Sequence, residues 1–367
     1  MKISVVGGGS WGSAVTWLLS EKGNDVRLWV RDGELAQHIN ATHRSPRYLE
    51  DVVFAPTVTA STDFAEVFDG TEAVVLATPS AVVREMAGRI APFVTAEIPV
   101  VLLSKGIEDT TGMLLLDVLA ERFGALGASG SSERTATPRV PSPAEQVGPS
   151  EHFGWPEYFG AHEHLAVLSG PNHAEEIVRS LPSGTVIASL SQKTADFFQK
   201  LFATPAFRIY TSHDTAGVQL CGAAKNVIAI ACGMAAGLGY GDNTAAMLMT
   251  RGLAEIGRLT THLGGDPITC MGLAGMGDLI ATCTSPHSRN RSFGTELARG
   301  GTLEEYQERT HMVVEGALAS KTVTDLARQH AVDMPISTLV RNVIWDHQPL
   351  DKAVATLIER SFKPEFY

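Results

Sequence analysis

Residues 1–12 read MKISVVGGGSWG, and this stretch decides the fold. Ile3 to Gly7 has the β-branched, apolar character of a buried strand, and glycines 7, 9 and 12 form a G-x-G-x-x-G pattern. Glycine at these positions permits a tight turn, close approach of the backbone to a pyrophosphate, and packing of the helix on the strand. The helix that begins after the turn points its free N–H groups and positive dipole end at the phosphates. The stretch therefore predicts a dinucleotide-binding strand, turn and helix.

The first two hundred residues alternate between short β-branched runs and segments with helical periodicity, such as Gly12–Lys22, Ser80–Ile90 and Met113–Phe123. Alternation of this kind predicts an α/β Rossmann-type domain with a mostly parallel sheet covered on both faces. The predicted strands are Ile3–Gly7, Asp25–Val30, Thr57–Ser61, Ala73–Thr78, Pro99–Ser104, Leu165–Ser169, Gly184–Ser189 and Phe207–Thr211.

Strand patterns end near residue 212, and Ala/Leu/Ile-rich helical patterns follow, among them Val218–Met234, Ala245–Leu263 and Val314–His330. We therefore expect a dinucleotide-binding domain over residues 1–212 and an all-α substrate and catalytic domain over residues 213–367. Residues 124–163 form a low-complexity excursion rich in Gly, Ser, Pro and Glu, which we interpret as a surface segment. Its aromatic residues, which are candidates for docking onto the body or a partner, are Phe153, Trp155, Tyr158 and Phe159.

The formal net charge of −11 argues against nucleic acid as the main partner, because phosphate backbones favour basic surfaces. No apolar run approaches the roughly 20 residues that span a bilayer, and glycine interrupts the apolar N-terminus too early for a signal peptide. We therefore expect no integral membrane segment and a cytoplasmic location. The four cysteines lack CxxC spacing, so we interpret them as small buried hydrophobic residues and predict no metal site.

The end of the second predicted strand bears on the choice of cofactor. An NAD-selective site usually has an acidic residue there, which accepts a hydrogen bond from the ribose 2′-hydroxyl. This chain has Arg31 followed by Asp32. Arginine pairs with a 2′-phosphate and stacks on adenine, so the sequence favours NADPH, while Asp32 keeps NADH possible.

The helical half contains a candidate proton donor, Lys225, among small and apolar residues where burial lowers a lysine pKa. The alternative is a core-helix lysine whose amine extends to solvent. Asn226 beside it is a candidate ligand for substrate hydroxyls. A second candidate group is a glycine-rich loop that ends in Asp278, with Ser288, Arg289 and Asn290 about ten residues further on. Its alternative is a solvated helix start capped by Asp278.

Two more candidate segments follow predicted parallel strands, where ligands of open α/β sheets bind. The first contains Lys105, directly after the fifth strand, and its alternative is an exposed surface lysine. The second runs from Ser169 to Ala174, directly after the sixth strand. Both segments are expected at the edge of the sheet that carries the glycine turn.

Taken together, these segments resemble bacterial NAD(P)-dependent glycerol-3-phosphate dehydrogenases. The resemblance is carried, in order, by GGGSWG (7–12), SKG (104–106), SGPNHAEE (169–176), LCGAAKNVIAIACGMAAGLGYGDN (220–243), TRGLAEI (250–256), GLAGMGDLIATC (272–283), SRNRSFG (288–294) and VVEGA (313–317). It implies reversible reduction of dihydroxyacetone phosphate to sn-glycerol 3-phosphate, which feeds phospholipid synthesis, in a homodimer.

The resemblance also implies roles for individual residues, with Lys225 as the proton donor and acceptor. The implied substrate contacts are Lys105, Gly170, Asn172, Lys225, Asn226, Asp278, Ser288, Arg289 and Asn290. The implied cofactor contacts, with Gly7, Gly9 and Gly12 of the glycine turn, are Ser10, Trp11, Arg31, Lys105, Ala174, Arg289, Val313 and Glu315. The family commonly has Ser or Thr where this chain has Asn172 and Phe where it has His173, so the side-chain role of Asn172 is the weakest of these.

Two other functions are compatible with the same motifs. One is a 2-hydroxyacid or polyol dehydrogenase of the same two-domain plan, which would accept unphosphorylated substrates. The other is a redox sensor that binds the dinucleotide without turnover and regulates a partner, which would leave Lys225, Asp278 and residues 288–290 without a purpose.

Overall fold

The computed structural model describes residues 1–127 and 162–359 of the chain. Eight strands form one sheet in the order β3-β2-β1-β4-β5-β6-β7-β8, and every neighbouring pair is parallel except β6 with β7. The strands are β1 Lys2–Val6, β2 Asp25–Trp29, β3 Val58–Ser61, β4 Ala73–Leu76, β5 Val100–Leu102, β6 Leu165–Ser169, β7 Ser183–Ala188 and β8 Phe207–Ser212. All eight predicted strands and the mostly parallel sheet are confirmed.

Helices cover both faces of this sheet, because the strands are apolar on both sides and need a layer on each. They are α1 Ser10–Glu21, α2 Gly33–Thr42, α3 Phe64–Phe68, α4 Val83–Ile90, α5 Leu115–Gly127, α6 Ala174–Ile177 and α7 Gln192–Phe202, with 3₁₀ turns at Ser80–Val82 and Ala91–Phe93. Helix α1 ends as expected, since Gly23 directly after it has a φ of +79°.

The prediction that the low-complexity excursion begins at residue 124 is wrong, because α5 continues to Gly127. Residues 124–127 form the last turn of α5, because Ala125 and Leu126 are strong helix formers and a single glycine at 124 costs only about 1 kcal/mol. Residues 162 and 163 are also described, ahead of β6. The remainder of the excursion, with the four aromatic residues considered for docking, lies outside the described residues.

After β8 the described elements are all helical, which confirms an all-α second half. They are α8 Thr215–Gly237, α9 Asp242–His262, α10 Pro267–Cys270, α11 Asp278–Thr284, α12 Arg289–Ala298, α13 Leu303–Thr310, α14 Glu315–Gln329, α15 Pro335–Trp345 and α16 Leu350–Ile358, with a π-helical turn at Leu273–Gly277. Helix α8 is the axis of this half, and its residues dominate the hydrophobic core there.

Helix α8 also corrects an expectation about apolar length. Its 23 residues are long and apolar enough to cross a bilayer, although the sequence suggested no such run. Most of the helix is buried within the described structure, because α9, α12, α14 and α15 pack around it. The apolar character of this segment is therefore that of a core helix, which must be hydrophobic on all sides.

The topology brings the candidate segments to one edge. Strands β1, β4, β5 and β6 run in the same direction, so the turns that follow them lie together at their carboxyl ends. The order reverses beside β1, which has β2 on one side and β4 on the other. This switch point places the glycine turn at the same edge as the segments that follow β4, β5 and β6, and Gly222 of α8 lies against Ser169 and Lys105 there.

Candidate active site

The glycine turn, residues 7–12, has a shape that only glycine allows. Gly7 has a φ of +117°, and a Cβ atom there would lie 2.5 Å from the carbonyl oxygen of Ala77. A Cβ atom on Gly12 would overlap the carbonyl oxygen of Gly7, so α1 can pack this close to β1 only without a side chain. A Cβ atom on Gly9 would meet nothing within 4 Å, because this glycine faces open space at the start of α1.

The residues around this turn fit a bound dinucleotide. Ser10 and Trp11 begin α1, where the first backbone N–H groups of a helix have no partner within the helix. Within the described structure, the buried Nε1 of Trp11 and Oγ1 of Thr78 also have no hydrogen-bond partner. Ala174 is buried at the start of α6 on the same side of the sheet. Open backbone at Gly9 and these unused polar atoms suit a phosphate-containing ligand.

Arg31 and Asp32 differ in their surroundings: the Arg31 side chain is exposed, whereas the Asp32 carboxylate is bonded to other parts of the protein. Arg31 is exposed two residues after the end of β2. Asp32 caps α2 by accepting hydrogen bonds from the backbone N–H groups of Glu34 (3.0 Å) and Leu35 (3.4 Å), and it pairs with Arg47 at 2.9 Å. The hydrogen bond from Leu35 and the charge of Arg47 hold the pKa of Asp32 below its usual value. The carboxylate is therefore occupied by the protein itself.

A lysine cluster, made of Lys105, Lys225, Asp278 and Thr282, lies where α8 faces the sheet. The Lys225 ammonium donates to a carboxylate oxygen of Asp278 and to the Thr282 hydroxyl, the latter at 2.8 Å. Lys105 donates to the other carboxylate oxygen of Asp278 at 2.8 Å. One carboxylate thus bridges two ammonium groups that are 120 residues apart in the sequence.

Burial sets the ionisation of this cluster. Lys225 is 5% exposed and Asp278 is 3% exposed. Burial lowers the pKa of Lys225 to about 8, although the charge of Asp278 opposes that shift. Burial alone would raise the pKa of Asp278, but Lys105 and Lys225 outweigh it and hold that pKa below its usual value. The cluster therefore pairs a permanent carboxylate with a lysine whose proton is exchangeable near neutral pH.

This geometry excludes the structural alternatives considered for three residues. The Lys225 amine does not extend to solvent, because it is enclosed with Asp278 and Thr282. Asp278 is not a solvated cap: it is buried, and no side-chain cap bond begins α11. Lys105 is not a surface lysine, since only 17% of its side chain is exposed and its amine is bonded to Asp278.

The segment after β6 completes the surroundings of Lys105. Its amine also donates to the carbonyl oxygen of Gly170 and to the side-chain oxygen of Asn172, each at 3.3 Å. The Asn172 amide donates in turn to the Thr185 hydroxyl at 3.1 Å. Asn172 therefore does have a side-chain role within the protein, which orients Lys105. Nothing in the described structure gives the neighbouring ring nitrogen Nε2 of His173 a partner.

The start of α12 lies beside the middle of α8, next to Lys225. Ser288 caps this helix, accepting a hydrogen bond from the backbone N–H of Arg291 at 3.3 Å. Arg289 is exposed at the first position of the helix. Asn290 follows it and donates to the side-chain oxygen of Asn226 at 2.9 Å. The helix start therefore presents a guanidinium and unpaired backbone N–H groups next to Asn226.

The segment before α14 reaches back to the sheet. The Glu315 carboxylate accepts hydrogen bonds from the hydroxyl of Ser80 at 2.5 Å and from its backbone N–H at 3.4 Å. Burial raises the pKa of Glu315 above its usual value, and these hydrogen bonds and the charge of Arg289 oppose the shift. Val313, two residues earlier, is exposed. Glu315 thus links the helical half to the turn after β4.

The structure brings four of the predicted site residues into one bonded group, and it contradicts the predicted loop before Asp278. Lys105, Lys225, Asp278 and Asn172 form one bonded group, whereas Arg31 lies apart at the end of β2. The predicted glycine-rich loop before Asp278 is wrong: Leu273–Gly277 form a π-helical turn in which Ala274 and Gly275 are buried. Among the described residues, no group of three or more His, Cys, Asp or Glu could hold a metal ion. All four cysteines are buried and free, as expected.

Sequence reasoning missed two residues of the site. Ser80 holds Glu315, and its only signal was its position just after a predicted strand. Thr185 holds Asn172 from the middle of β7, where a threonine looks like an ordinary strand residue. Ser80 and Thr185 belong to none of the quoted motifs. Each contributes by holding a motif residue in place, Glu315 for Ser80 and Asn172 for Thr185.

A glycine turn at a sheet switch point, together with a buried lysine on a helical second half, is typical of two-part dehydrogenases that bind a nicotinamide dinucleotide. Comparison with known proteins narrows the class. The model of the NAD-dependent glycerol-3-phosphate dehydrogenase N-terminus matches residues 2–129 and 156–195, and the model of the C-terminus matches residues 214–355. The match to the N-terminal model skips residues 130–155, a shorter stretch than the predicted excursion.

Individual relatives agree over nearly the whole chain. A glycerol-3-phosphate dehydrogenase [NAD(P)+] of Corynebacterium aurimucosum is 41% identical, with 99% of each chain covered. One of Bacillus pumilus is 39% identical, covering 98% of this chain and 94% of the relative. The crystal structure of glycerol-3-phosphate dehydrogenase from Coxiella burnetii superposes with a TM-score of 0.84 at 32% identity, covering 98% of each chain. The chain belongs to the NAD-dependent glycerol-3-phosphate dehydrogenase family.

Proposed function

We propose that this chain interconverts dihydroxyacetone phosphate and sn-glycerol 3-phosphate, with Lys225 as the proton donor and acceptor. The observation that carries the proposal is the buried Lys225–Asp278 pair, which is bonded to Lys105 directly after β5. A ketone that accepts a hydride needs a proton at its oxygen, and Lys225 holds one at a position shielded from water. The names of the family's relatives give the substrate on which this chemistry acts.

The mechanism assigns the proton to this chain and the hydride to the cofactor. When bound, the nicotinamide cofactor supplies a hydride to the C2 carbonyl carbon. Lys225 donates its proton to the carbonyl oxygen as negative charge develops there, a contribution that is typically about 10²–10⁴-fold in rate. In the oxidation direction, the neutral amine of Lys225 removes the hydroxyl proton. A pKa of about 8 leaves both forms of Lys225 accessible near neutral pH.

Asp278 and Lys105 keep Lys225 ready for this step. The two ammonium groups and single carboxylate leave one positive charge in excess, which favours the developing alkoxide. Asp278 fixes the position of the Lys225 amine and favours its protonated form. Lys105, held by Gly170 and Asn172, is close enough to the same region to contact substrate.

The phosphate of the substrate is expected at the start of α12. The first backbone N–H groups of this ten-residue helix lack partners within the helix, and its positive dipole end favours an anion. Arg289 adds a guanidinium that pairs with phosphate oxygens. Binding of the phosphate here holds the carbonyl at Lys225, so that its binding energy is used for orientation.

The same proposal extends to the cofactor that is preferred. Arg31 is exposed at the end of β2 and available for a 2′-phosphate, whereas the Asp32 carboxylate already caps α2 and pairs with Arg47. This supports a preference for NADPH over NADH, with NADH still accepted. The remaining contacts to the dinucleotide are those implied by resemblance, Ser10, Trp11, Lys105, Ala174, Arg289, Val313 and Glu315.

The proposal also covers the domain bounds, the cellular location and the oligomeric state of the enzyme. We infer domains over residues 1–212 and 213–367, a cytoplasmic enzyme that supplies glycerophospholipid synthesis, and a homodimer. Apolar side chains exposed around α10 and α11 support an interface on the helical half, namely Ile268, Met271, Met276 and Ile280. Light scattering of the purified chain checks the oligomeric state, and a monomer at micromolar concentration would contradict the dimer.

Steady-state turnover tests the proposed function directly. The purified chain should oxidise NADPH in the presence of dihydroxyacetone phosphate and reduce NADP⁺ with sn-glycerol 3-phosphate. A panel of unphosphorylated 2-keto acids and dihydroxyacetone is the control, and we expect little turnover with these. Faster turnover of a keto acid would indicate a 2-hydroxyacid dehydrogenase, and cofactor binding without any turnover would indicate a redox sensor.

A further inference from the structure

The four cysteines of the chain form two pairs, each of which joins α8 to the segment over residues 270–283. The Cys221 thiol donates a hydrogen bond to the Cys270 sulfur at 3.5 Å, and Cys232 is hydrogen-bonded to Cys283. All four thiols are buried and free. Two thiols in direct contact can be oxidised to a disulfide, which a single buried cysteine cannot form within one chain.

The thiol pair, Cys221 and Cys270, lies close to the lysine cluster. Cys221 and Lys225 are four residues apart on α8, so they lie on the same face of the helix. The hydrogen bond to Cys270 and burial raise the pKa of Cys221, and the charge of Asp278 adds to that rise. The thiol pair therefore joins the same two segments of the chain as the bond between Lys225 and Asp278.

The backbone of Cys270 is packed against the π-helical turn that leads to Asp278. A Cβ atom on Gly275 would overlap the carbonyl oxygen of Cys270, so the turn and the end of α10 touch backbone to backbone. The turn ends at Gly277, and Asp278 follows it directly. Close-packed backbone transmits strain, so a displacement of Cys270 reaches the Asp278 carboxylate.

A cavity of about 400 Å³ reaches the helices that carry the thiol pair. Its lining includes Gln219, two residues before Cys221, and Asp266, four residues before Cys270, and the exposed apolar residues proposed for the dimer interface are not part of it. A peroxide in this cavity reaches the sulfurs after local opening of one helical turn. The hydrogen bond from Cys221 lowers the pKa of Cys270, although burial opposes this shift. Cys270 is therefore the sulfur that reacts first, because the thiolate is the reactive form.

We propose that Cys221 and Cys270 are a redox-sensitive site, at which hydrogen peroxide forms a disulfide that displaces Asp278 and lowers turnover. The Cys270 thiolate attacks one peroxide oxygen, the O–O bond breaks, and the departing hydroxide takes up the proton that Cys270 released, which leaves a sulfenic acid. The Cys221 sulfur then attacks the Cys270 sulfur, the S–O bond breaks, and hydroxide leaves as water with the Cys221 proton. Two thiols and one peroxide thus give one disulfide and two water molecules. The effect on turnover rests on the function proposed above, whereas disulfide formation does not.

The size of the effect follows from the distance that the sulfurs move. A disulfide bond is about 2.05 Å long, so closure draws the two sulfurs about 1.5 Å closer than their present 3.5 Å. A misplacement of about 1 Å can cost about 10²-fold in rate. Rotation of the two side chains absorbs part of the movement, so we expect kcat/KM for dihydroxyacetone phosphate to fall about tenfold. Disulfides of cytoplasmic proteins are usually transient, so the change should be reversible.

Treatment of the reduced enzyme with hydrogen peroxide tests the site and its effect separately. Peptide mass spectrometry should show the Cys221 and Cys270 peptides linked, with the loss of two hydrogen atoms. The fall in kcat/KM should follow the linked fraction, and dithiothreitol should reverse both. Absence of the linked peptides would overturn the site, and full linkage with unchanged kcat/KM would overturn its effect on turnover.

Four variants assign the effect to the thiol pair. Cys270→Ser should keep its kcat/KM after peroxide treatment, and Cys221→Ala replaces it if Cys270→Ser does not fold. Cys232→Ser removes the other pair and is the matched control, and Met271→Leu removes an exposed methionine, so both should still lose activity. Protection by either control, but not by Cys270→Ser, would overturn the proposal. A reduced wild-type chain without turnover would contradict the proposed function, whereas the linked peptides would still decide the redox site.

Discussion

The glycine turn follows β1 and the lysine cluster includes Lys105 after β5, so both lie at the carboxyl edge of the sheet, yet they are built in opposite ways. The glycine turn is a continuous run of six residues, four of them glycines, whose lack of side chains lets backbone come close to a ligand. The lysine cluster works through buried charged side chains, which the fold collects from the end of β5, the middle of α8 and the start of α11. The glycine turn can be recognised as a sequence motif, and many dinucleotide-binding enzymes share it. The lysine cluster forms only when the chain folds, and its side chains select the reaction.

The largest expected effect comes from removing the lysine at the centre of the cluster. Lys225→Ala, or Lys225→Met with its similar length, should lower kcat by about 10²–10⁴-fold, because the proposed proton donor to the carbonyl oxygen is lost. Cofactor affinity should change little, since the glycine turn is untouched. Steady-state kinetics and a cofactor titration measure the two quantities, with Lys193→Ala at an exposed position of α7 as the matched control. Unchanged kcat in the Lys225 variants would remove lysine from the role.

Two substitutions in the glycine turn test its two roles separately, which are packing α1 against β1 and letting the backbone approach the cofactor. Gly12→Ala should destabilise the protein by about 1–3 kcal/mol or more, because the new Cβ atom would overlap the Gly7 carbonyl oxygen. Gly9→Ala faces open space, so the melting temperature should stay near that of wild type while the cofactor Kd rises about tenfold or more. Thermal unfolding and cofactor titration distinguish the cases. Normal cofactor affinity in Gly9→Ala would place the pyrophosphate elsewhere.

The ionisation of Lys225 gives a signature that the glycine turn cannot produce. For ketone reduction, kcat/KM should fall about tenfold per pH unit above pH 8, because the proton donor is lost as pH rises through the pKa of about 8. For alcohol oxidation, kcat/KM should rise with pH and level off above the same value, since the neutral amine is the base. Asp278→Asn should move both inflections to lower pH, because the Asp278 charge raises the pKa of Lys225. Inflections that stay in place would assign the titration to another group.

The contrast between the glycine turn and the lysine cluster also explains which parts of the fold and the site could be predicted from the sequence. The strands and the long helices followed from local patterning, and the glycine turn from its spacing. The candidate residues Lys105, Lys225 and Asp278 were singled out, but their convergence on one carboxylate depends on distances that no local pattern records. Ser80 and Thr185 went unnoticed because they act only through a neighbouring side chain. The π-helical turn at residues 273–277 was mistaken for a loop, since a glycine-rich sequence does not reveal the backbone packing around Gly275.

The smallest expected effect concerns Arg31, which extends the glycine turn's site to the 2′ position of the cofactor. Arg31→Ala should raise the KM for NADPH about tenfold and leave the KM for NADH nearly unchanged, since a charge-assisted hydrogen bond is worth about 1.5–3 kcal/mol and an exposed one falls at the lower end. Arg47→Ala should act in the same direction but more weakly, because it uncovers the Asp32 charge that Arg47 now neutralises. Asp32→Asn keeps an acceptor for the cap of α2 and removes that charge, so it should improve NADPH relative to NADH. Steady-state kinetics with both cofactors measure the ratio, and equal changes in the two KM values would show that Arg31 does not read the 2′-phosphate.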